Sequence, residues 1–438
     1  MIVWQPGFVY PPVFNPPHPP LDFISAAIFA LVLIAALAVT VRRPANGIAA
    51  LILTVPFAYA HYAAGTSFTI PKAAFAGFVI GLLWHRPSLR DLGDRRIRPF
   101  IYALAAMIVA MALSSLFAEH RDAVVREIAK WVEYAVMFAG VCIAFLNDPD
   151  DRPIWGSLVA ITALVSLLSI SQEFIGAATG LFYHGYSIPR ISGPLEGPNQ
   201  LSAWLGIALP ILFARVLVHR SLPLVAVTAL AAIAEVLTIS RSGIVATAFA
   251  CALVVLLIVP SHAAARRFTS WPFILGGILV AAYVVIGLAS SGHETAQPDG
   301  LGTHPMLWQA ALDLWRTSPF VGIGAGNYEL DLGQVGLPHV HTHANSLYLQ
   351  SLAELGLVGL VATLYMVYAS IAPFGRVISR RPLIVGALAA SVGLALHHVF
   401  DYLIFYPKVG EFWWIILAIG AVELIDSRED SRTIEVAA

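Results

Sequence analysis

The chain has 438 residues, 58% of them hydrophobic and only 12% charged, with a formal net charge of -1. A mean hydropathy of +0.79 leaves too little polar surface to clothe a soluble body, so the bilayer must act as solvent. The near-neutral balance argues against a nucleic-acid binder, and Cys142 and Cys251, both inside apolar runs, argue against a disulfide framework.

The opening stretch, MIVWQPGFVYPPVFNPPHPP, carries no Lys or Arg and lacks the basic region of a cleavable signal peptide. Apolar runs of spanning length then recur near 21–41, 46–64, 70–85, 99–118, 130–147, 153–176, 199–218, 222–239, 242–260, 272–290, 346–371, 384–402 and 409–426. Lipid offers no partner to a free N–H or C=O, so each run is expected as a helix. The fold class expected is therefore an all-α polytopic membrane protein of about 12–13 transmembrane helices. Arg42 and Arg43, the cluster from Arg86 to Arg98, Arg220, Arg266 and Arg267, and Arg376 to Arg381 mark cytoplasmic loops. The loops at 119–129, 177–198, 240–241, 291–345 and 403–408 then face outward. Three parts are expected: helices over 1–290, a long outward loop over 291–345, and helices with a cytoplasmic tail over 346–438. Within the long loop, PMLWQAALDLWRTSP repeats apolar residues at helical spacing, which predicts an amphipathic helix ending at Pro319.

Unusual polar residues collect on the outward side. The loop GYSIPRISGPLEGPNQLSAWLG offers one guanidinium, Arg190, with Glu196 six residues on and Asn199 placed to cap the next helix. A guanidinium fork on a rigid loop suits a phosphate. In VLTISRSGIVATA, Arg241 sits in a turn too short to leave the membrane surface, beside Ser240 and Ser242 at a helix start that favours anions. The stretch HVHTHANSLYLQSLAELGLVG alternates His339, His341 and His343 in a strand-like way. A His-x-His-x-His tract can bind metal, but no Cys or acidic ligand stands near it in sequence. The preferred reading makes His343 an acid or base, with Asn345 capping the helix that follows. Glu354 falls about 13 Å further along that helix, where a carboxylate is costly unless paired. Weaker candidates are Asp401 and Lys408 in the last outward turn, and Arg121, Arg126 and Lys130 near the membrane surface.

These segments resemble the O-antigen ligase and polysaccharide polymerase superfamily. HTHANSLYLQSLAELGLVG resembles its histidine signature, and TSPFVGIGAGNYE its P-x-x-G-x-G-x-G-N-[FY] segment. PMLWQAAL resembles its tryptophan-bearing helix, LTISRSG its Ser-Arg-Gly turn, and PRISGPLEGPNQLSAWLG its Arg…Pro-Asn loop. The resemblance covers about residues 185–360. It implies a GT-C-like membrane fold, metal-independent transfer without a cofactor, and a glycan donor on undecaprenyl diphosphate. Arg190, Arg241 and His343 are implied as catalytic, with His341 as the alternative to His343. Glu196, Asn199, His341, Asn345 and Trp308 are expected around the substrate. The implied acceptor is lipid A–core or another glycan, at the periplasmic face of a bacterial inner membrane. A polymerase, a protein O-oligosaccharyltransferase and, from another class, a transporter are the competing readings; a transporter tends to carry its charges at the bilayer midplane instead.

Overall fold

The computed structural model describes residues 20–63, 66–86, 88–175, 190–258, 304–375 and 381–437. The expected span at 272–290 and the start of the long loop lie outside these residues.

The described residues form an all-α polytopic membrane protein. In chain order the helices are α1 (Phe23–Arg42), α2 (Pro44–Thr54), α3 (Ile70–Trp84), α4 (Arg98–Ser114), α5 (Arg121–Asn147), α6 (Arg152–Ile175), α7 (Pro198–Val218), α8 (Leu222–Leu237) and α9 (Arg241–Ile258). Then come α10 (His304–Thr317), the short α11 (Tyr328–Asp331), α12 (Leu347–Gly375), α13 (Pro382–His397) and α14 (Pro407–Ala437). Among the described residues, six helices are long and apolar enough to cross a membrane: α1, α5, α6, α7, α9 and α12. The other spanning-length runs that fall on described residues are helical too, with three changes of boundary. The run at 46–64 stops at Thr54, where Pro56 removes a helical donor; a 3-10 turn leads into an antiparallel hairpin of His61–Ala63 with Thr66–Phe68. Helix α5 starts nine residues before the apolar run, so 121–129 is not a loop but an amphipathic extension carrying the Arg126–Asp122 and Lys130–Glu127 pairs. Helix α13 ends at His397, leaving 398–406 as turns.

Helix α14 is the axle of the bundle. Between Val409 and Leu424 its apolar side chains are all buried, with Trp414 edge-on to Trp131 and Phe138 of α5, and Phe412 stacked on Trp204 of α7. A helix apolar and covered on every side belongs in a core. In lipid the drive for that contact is close packing and ring geometry rather than escape from water.

One spanning helix is broken. In α12, Gly356 has φ 64 and ψ -160, which interrupts the hydrogen-bond ladder inside an apolar segment. The glycine-rich segment 319–328 repairs it. Leu357 and Val358 N–H groups donate to the Pro319 and Phe320 carbonyls, while Ile323 and Gly324 N–H groups donate to the Ala353 and Glu354 carbonyls. The two backbones approach so closely that a Cβ on Gly356 would stand 2.3 Å from the Phe320 carbonyl carbon, and one on Gly322 2.2 Å from that of Glu354. Both glycines also hold positive φ.

Helix α10 is the amphipathic helix expected from its periodicity. Leu307, Ala310, Ala311 and Leu314 are buried, and they form a small second core with Ile323, Tyr328, Leu332, Val340, Ala344 and Ala353. That core sits on the first turns of α12 and fixes where residues 339–346 run.

Candidate functional site

The arginine corner is built by the segment after residue 189 folding back onto the turn between α8 and α9. Arg190 Nε donates to the Thr238 carbonyl at 2.8 Å, three residues before Arg241. A terminal nitrogen of the same guanidinium donates to Asn199 Oδ1 at 2.8 Å, and Asn199 Nδ2 donates to Asp401 Oδ2 at 2.8 Å. Asn199 is thus no cap. Helix α7 starts at Pro198 with Gly197 before it, so Asn199 lies inside the first turn and its amide is free to bridge a cation and an acid. Asp401 is buried; desolvation pushes its carboxyl up, against the pull of its bonds from the Tyr402 N–H and Asn199.

Arg241 opens α9 as an exposed residue. The turn before it is tight: Thr238 Oγ1 accepts from the Ser240 N–H, and Ile239 holds φ 52. A β-branched residue at positive φ is a genuine outlier, and such strain persists only where the surroundings enforce it. They do here. Two residues on, a Cβ on Gly243 would stand 1.9 Å from Ser202 Oγ of α7 and 2.7 Å from His397 Cε1 of α13, so the first turn of α9 is packed tightly against both helices.

His343 lies in an irregular segment rather than a strand. It is 7% exposed and boxed by aromatic rings, with centroids at 5.8 Å for Tyr402, 5.3 Å for Phe405 and 5.5 Å for Tyr406, all edge-on. Its Nε2 is 2.9 Å from the Tyr406 hydroxyl. Burial, helped by the charge of Lys130, pushes the imidazole down to about 4, so the ring is neutral at pH 7. The Leu347 N–H donates to the His398 and Asp401 carbonyls, which ties the histidine segment to the same turn that holds Asp401. A single series of contacts therefore runs from the turn of Arg241 through Arg190, Asn199 and Asp401 to Tyr402 and the His343 ring.

The other expected site residues are placed less centrally. His341 is exposed and its Nδ1 is 3.9 Å from Glu329, an acidic neighbour hidden from a linear reading. Burial pushes that carboxyl up to about 7. Glu196 meets the buried Lys408 at 3.4 Å, and Lys408 also donates to the Pro194 carbonyl, which pins the Arg190 loop to α14. Trp308 packs on Phe400 and His304, whose imidazole is 3.1 Å from the Phe400 carbonyl. Asn345 does not cap α12; that helix starts at Leu347, and Asn345 holds φ 47, a left-handed conformation asparagine tolerates. Glu354 is a structural acid. It accepts from the N–H groups of Gly326 and Tyr328 and from Gln350 Nε2, and so joins the glycine-rich segment to the broken helix.

Two groups at the site escape sequence reading. Tyr406 stands in an aromatic run, and nothing in the order of residues aims it at His343. Gln200, whose side chain hydrogen-bonds Tyr406, looks like one more polar residue in the first turn of α7. Asp401 was visible only as an acid near the last outward turn.

The arrangement links one guanidinium, Arg190, through Asn199 and Asp401 to the turn that packs on a neutral imidazole, with Arg241 three residues past the carbonyl that Arg190 bonds; cations and a neutral imidazole are groups suited to holding an anion and accepting a proton. No curated protein matches the chain. Residues 224–364 match the family model for O-antigen ligase. That match takes in the Arg241 turn, α10, the glycine-rich segment, His343 and Glu354, so this part of the multi-pass membrane protein is similar to the O-antigen ligase family.

Proposed function

We propose that the chain is a membrane glycosyltransferase that moves a glycan from undecaprenyl diphosphate to an acceptor hydroxyl at the periplasmic face of a bacterial inner membrane, as an O-antigen ligase acting on lipid A–core. The observation that carries this reading is the hydrogen-bonded line Arg190–Asn199–Asp401, which sets a guanidinium in place on the Arg241 turn and leads to Tyr402, whose ring packs on His343.

Each part has a task. Arg190 and Arg241 bind the diphosphate and stabilise the charge that grows on it as the sugar leaves. Asn199 and Asp401 hold Arg190 from behind, so its position is set before the donor arrives. His343, neutral and buried, receives the acceptor's proton as the oxygen attacks the anomeric carbon. Its low proton affinity in the free protein rises when a diphosphate dianion binds nearby, since an opposite charge favours the imidazolium. Two guanidiniums offset the diphosphate charge, so the reading needs no divalent cation.

The test is transfer by the full-length protein in proteoliposomes, with a lipid-diphosphate glycan and lipid A–core, with and without chelator. Arg190→Ala, Arg241→Ala and His343→Ala are expected to insert normally and to lose transfer. Wild-type rates in any of them remove that residue from the mechanism, and loss of activity with chelator reassigns the diphosphate to a metal. Product on a growing polymer or on protein, in place of lipid A–core, moves the acceptor assignment.

A further inference from the structure

A neutral imidazole has one N–H and one lone pair, and a phenol one O–H with two acceptor positions. The 2.9 Å contact between Tyr406 and His343 Nε2 therefore carries one proton, and its direction decides which ring nitrogen takes up another. Gln200 decides that direction. Its side chain hydrogen-bonds Tyr406, and its Oε1 is turned toward Gly197, where a Cβ would stand only 2.7 Å away. The amide oxygen thus lies on the side of the start of α7, and the amide nitrogen is assigned as the donor to the phenol oxygen. With that position filled by an N–H, the Tyr406 O–H points at Nε2, and the neutral ring keeps its own proton on Nδ1. The basic nitrogen of His343 is therefore reached through Tyr406.

We propose that Tyr406 takes the acceptor's proton and passes its own phenolic proton to His343 Nε2 in the same step, with Gln200 holding it in that orientation. This rests on the glycosyl-transfer reading above. In the step, the acceptor O–H bond breaks as its oxygen bonds the anomeric carbon, and the diphosphate leaves with the electrons of the old C–O bond. One O–H bond forms on Tyr406, another breaks, and an N–H bond forms on Nε2. The imidazolium then returns its proton to solvent by the same path. Burial, together with Asp401 on the same turn and Glu196 and Glu329 from two other segments, holds the phenol well above its ordinary value. It therefore relays a proton and does not accumulate as phenolate. Lys130 faces the imidazole from α5, donating to the Phe405 carbonyl at 3.1 Å, and helps to return the proton by disfavouring the imidazolium.

The experiment uses the full-length protein in proteoliposomes with an undecaprenyl-diphosphate glycan and the acceptor the wild type uses. Tyr406→Phe is expected to lower kcat roughly 100-fold with donor binding unchanged, and to turn a two-proton solvent isotope inventory into a one-proton one. A 2,3,5-trifluorotyrosine at position 406 keeps the ring and the hydrogen bond but acidifies the phenol, so it is expected to move the pH profile of kcat; a merely structural phenol would not. Wild-type kcat in Tyr406→Phe, or an unmoved profile with the fluorinated residue, overturns the relay. If Tyr406→Phe does not fold, the fluorinated residue decides alone. Retained transfer in His343→Ala refutes the base assignment itself, whereas lost transfer there with wild-type behaviour at position 406 refutes only the relay.

Discussion

Glu354 and Asp401 are both buried carboxylates near one end of the bundle, yet they are held in different ways. Glu354 is fixed by main-chain N–H groups at Gly326 and Tyr328 and by Gln350 one turn back on its own helix. Asp401 takes one main-chain N–H from Tyr402 and one side-chain amide, Asn199, whose other end holds Arg190. Backbone partners lock a fold, because they move only if the chain moves. A side-chain partner passes a position on to a third group. The first acid closes a broken membrane helix, and the second aims a cation.

The most severe way to break this contrast lies on the Glu354 side. Gly356→Ala and Gly322→Ala each drive a Cβ into backbone at 2.3 and 2.2 Å at a positive φ. Each is expected to cost more than about 3 kcal/mol and to leave little monodisperse protein on size-exclusion chromatography in detergent. Glu354→Ala leaves the Tyr328 N–H and the Gln350 amide without their buried acceptor, and a loss of about 2–4 kcal/mol is expected in thermal unfolding.

Substitutions on the Asp401 side should spare the fold and cost turnover. Arg190→Lys keeps the charge but loses the fork that bonds Thr238 and Asn199 together, so transfer should fall roughly 100-fold at an unchanged melting temperature. Asp401→Asn keeps the shape and removes the charge behind Asn199, with about a tenfold fall expected in kcat/KM. Equal losses of stability on both sides would show that the two acids do the same job.

The smallest effects are in pH. Burial lowers His343 to about 4, so its basic form is present above that value and lost as pH falls through it. The acid limb of kcat/KM, which reports the free protein, is expected near 4, well below the ordinary imidazole value of 6.5. The limb of kcat, which reports the donor complex, should lie closer to neutrality. For Glu329 the sign is reversed. Its folded carboxyl is raised to about 7 by burial, so the folded state keeps a proton that the unfolded chain releases at lower pH. Stability should therefore fall as pH rises from about 4.5 to 7, and Glu329→Gln should flatten that slope in a melting series.

Much of this was legible in the order of residues, because in lipid the backbone has few choices. Apolar runs of spanning length become helices since no other form satisfies their N–H and C=O groups, and the periodicity of PMLWQAALDLWRTSP gives α10 its buried face. The polar residues at Arg190, Arg241 and His343 stand out from their apolar surroundings by cost alone. Pairing is what the sequence left open. Asn199 and Asn345 both read as caps, but Pro198 and Leu347 start the helices, and a shift of one or two residues turned Asn199 into the link to Asp401. The break at Gly356 is invisible locally, since it survives only because residues 319–324 lend it their backbone groups from far away in the chain. Tyr406 reaches His343 from the turn before α14, and Gln200 reaches Tyr406 from α7. Composition and periodicity act over one turn or one span, so they determined the elements; hydrogen bonds between residues some 60 to 200 positions apart are made only when those elements pack, and they decided the site.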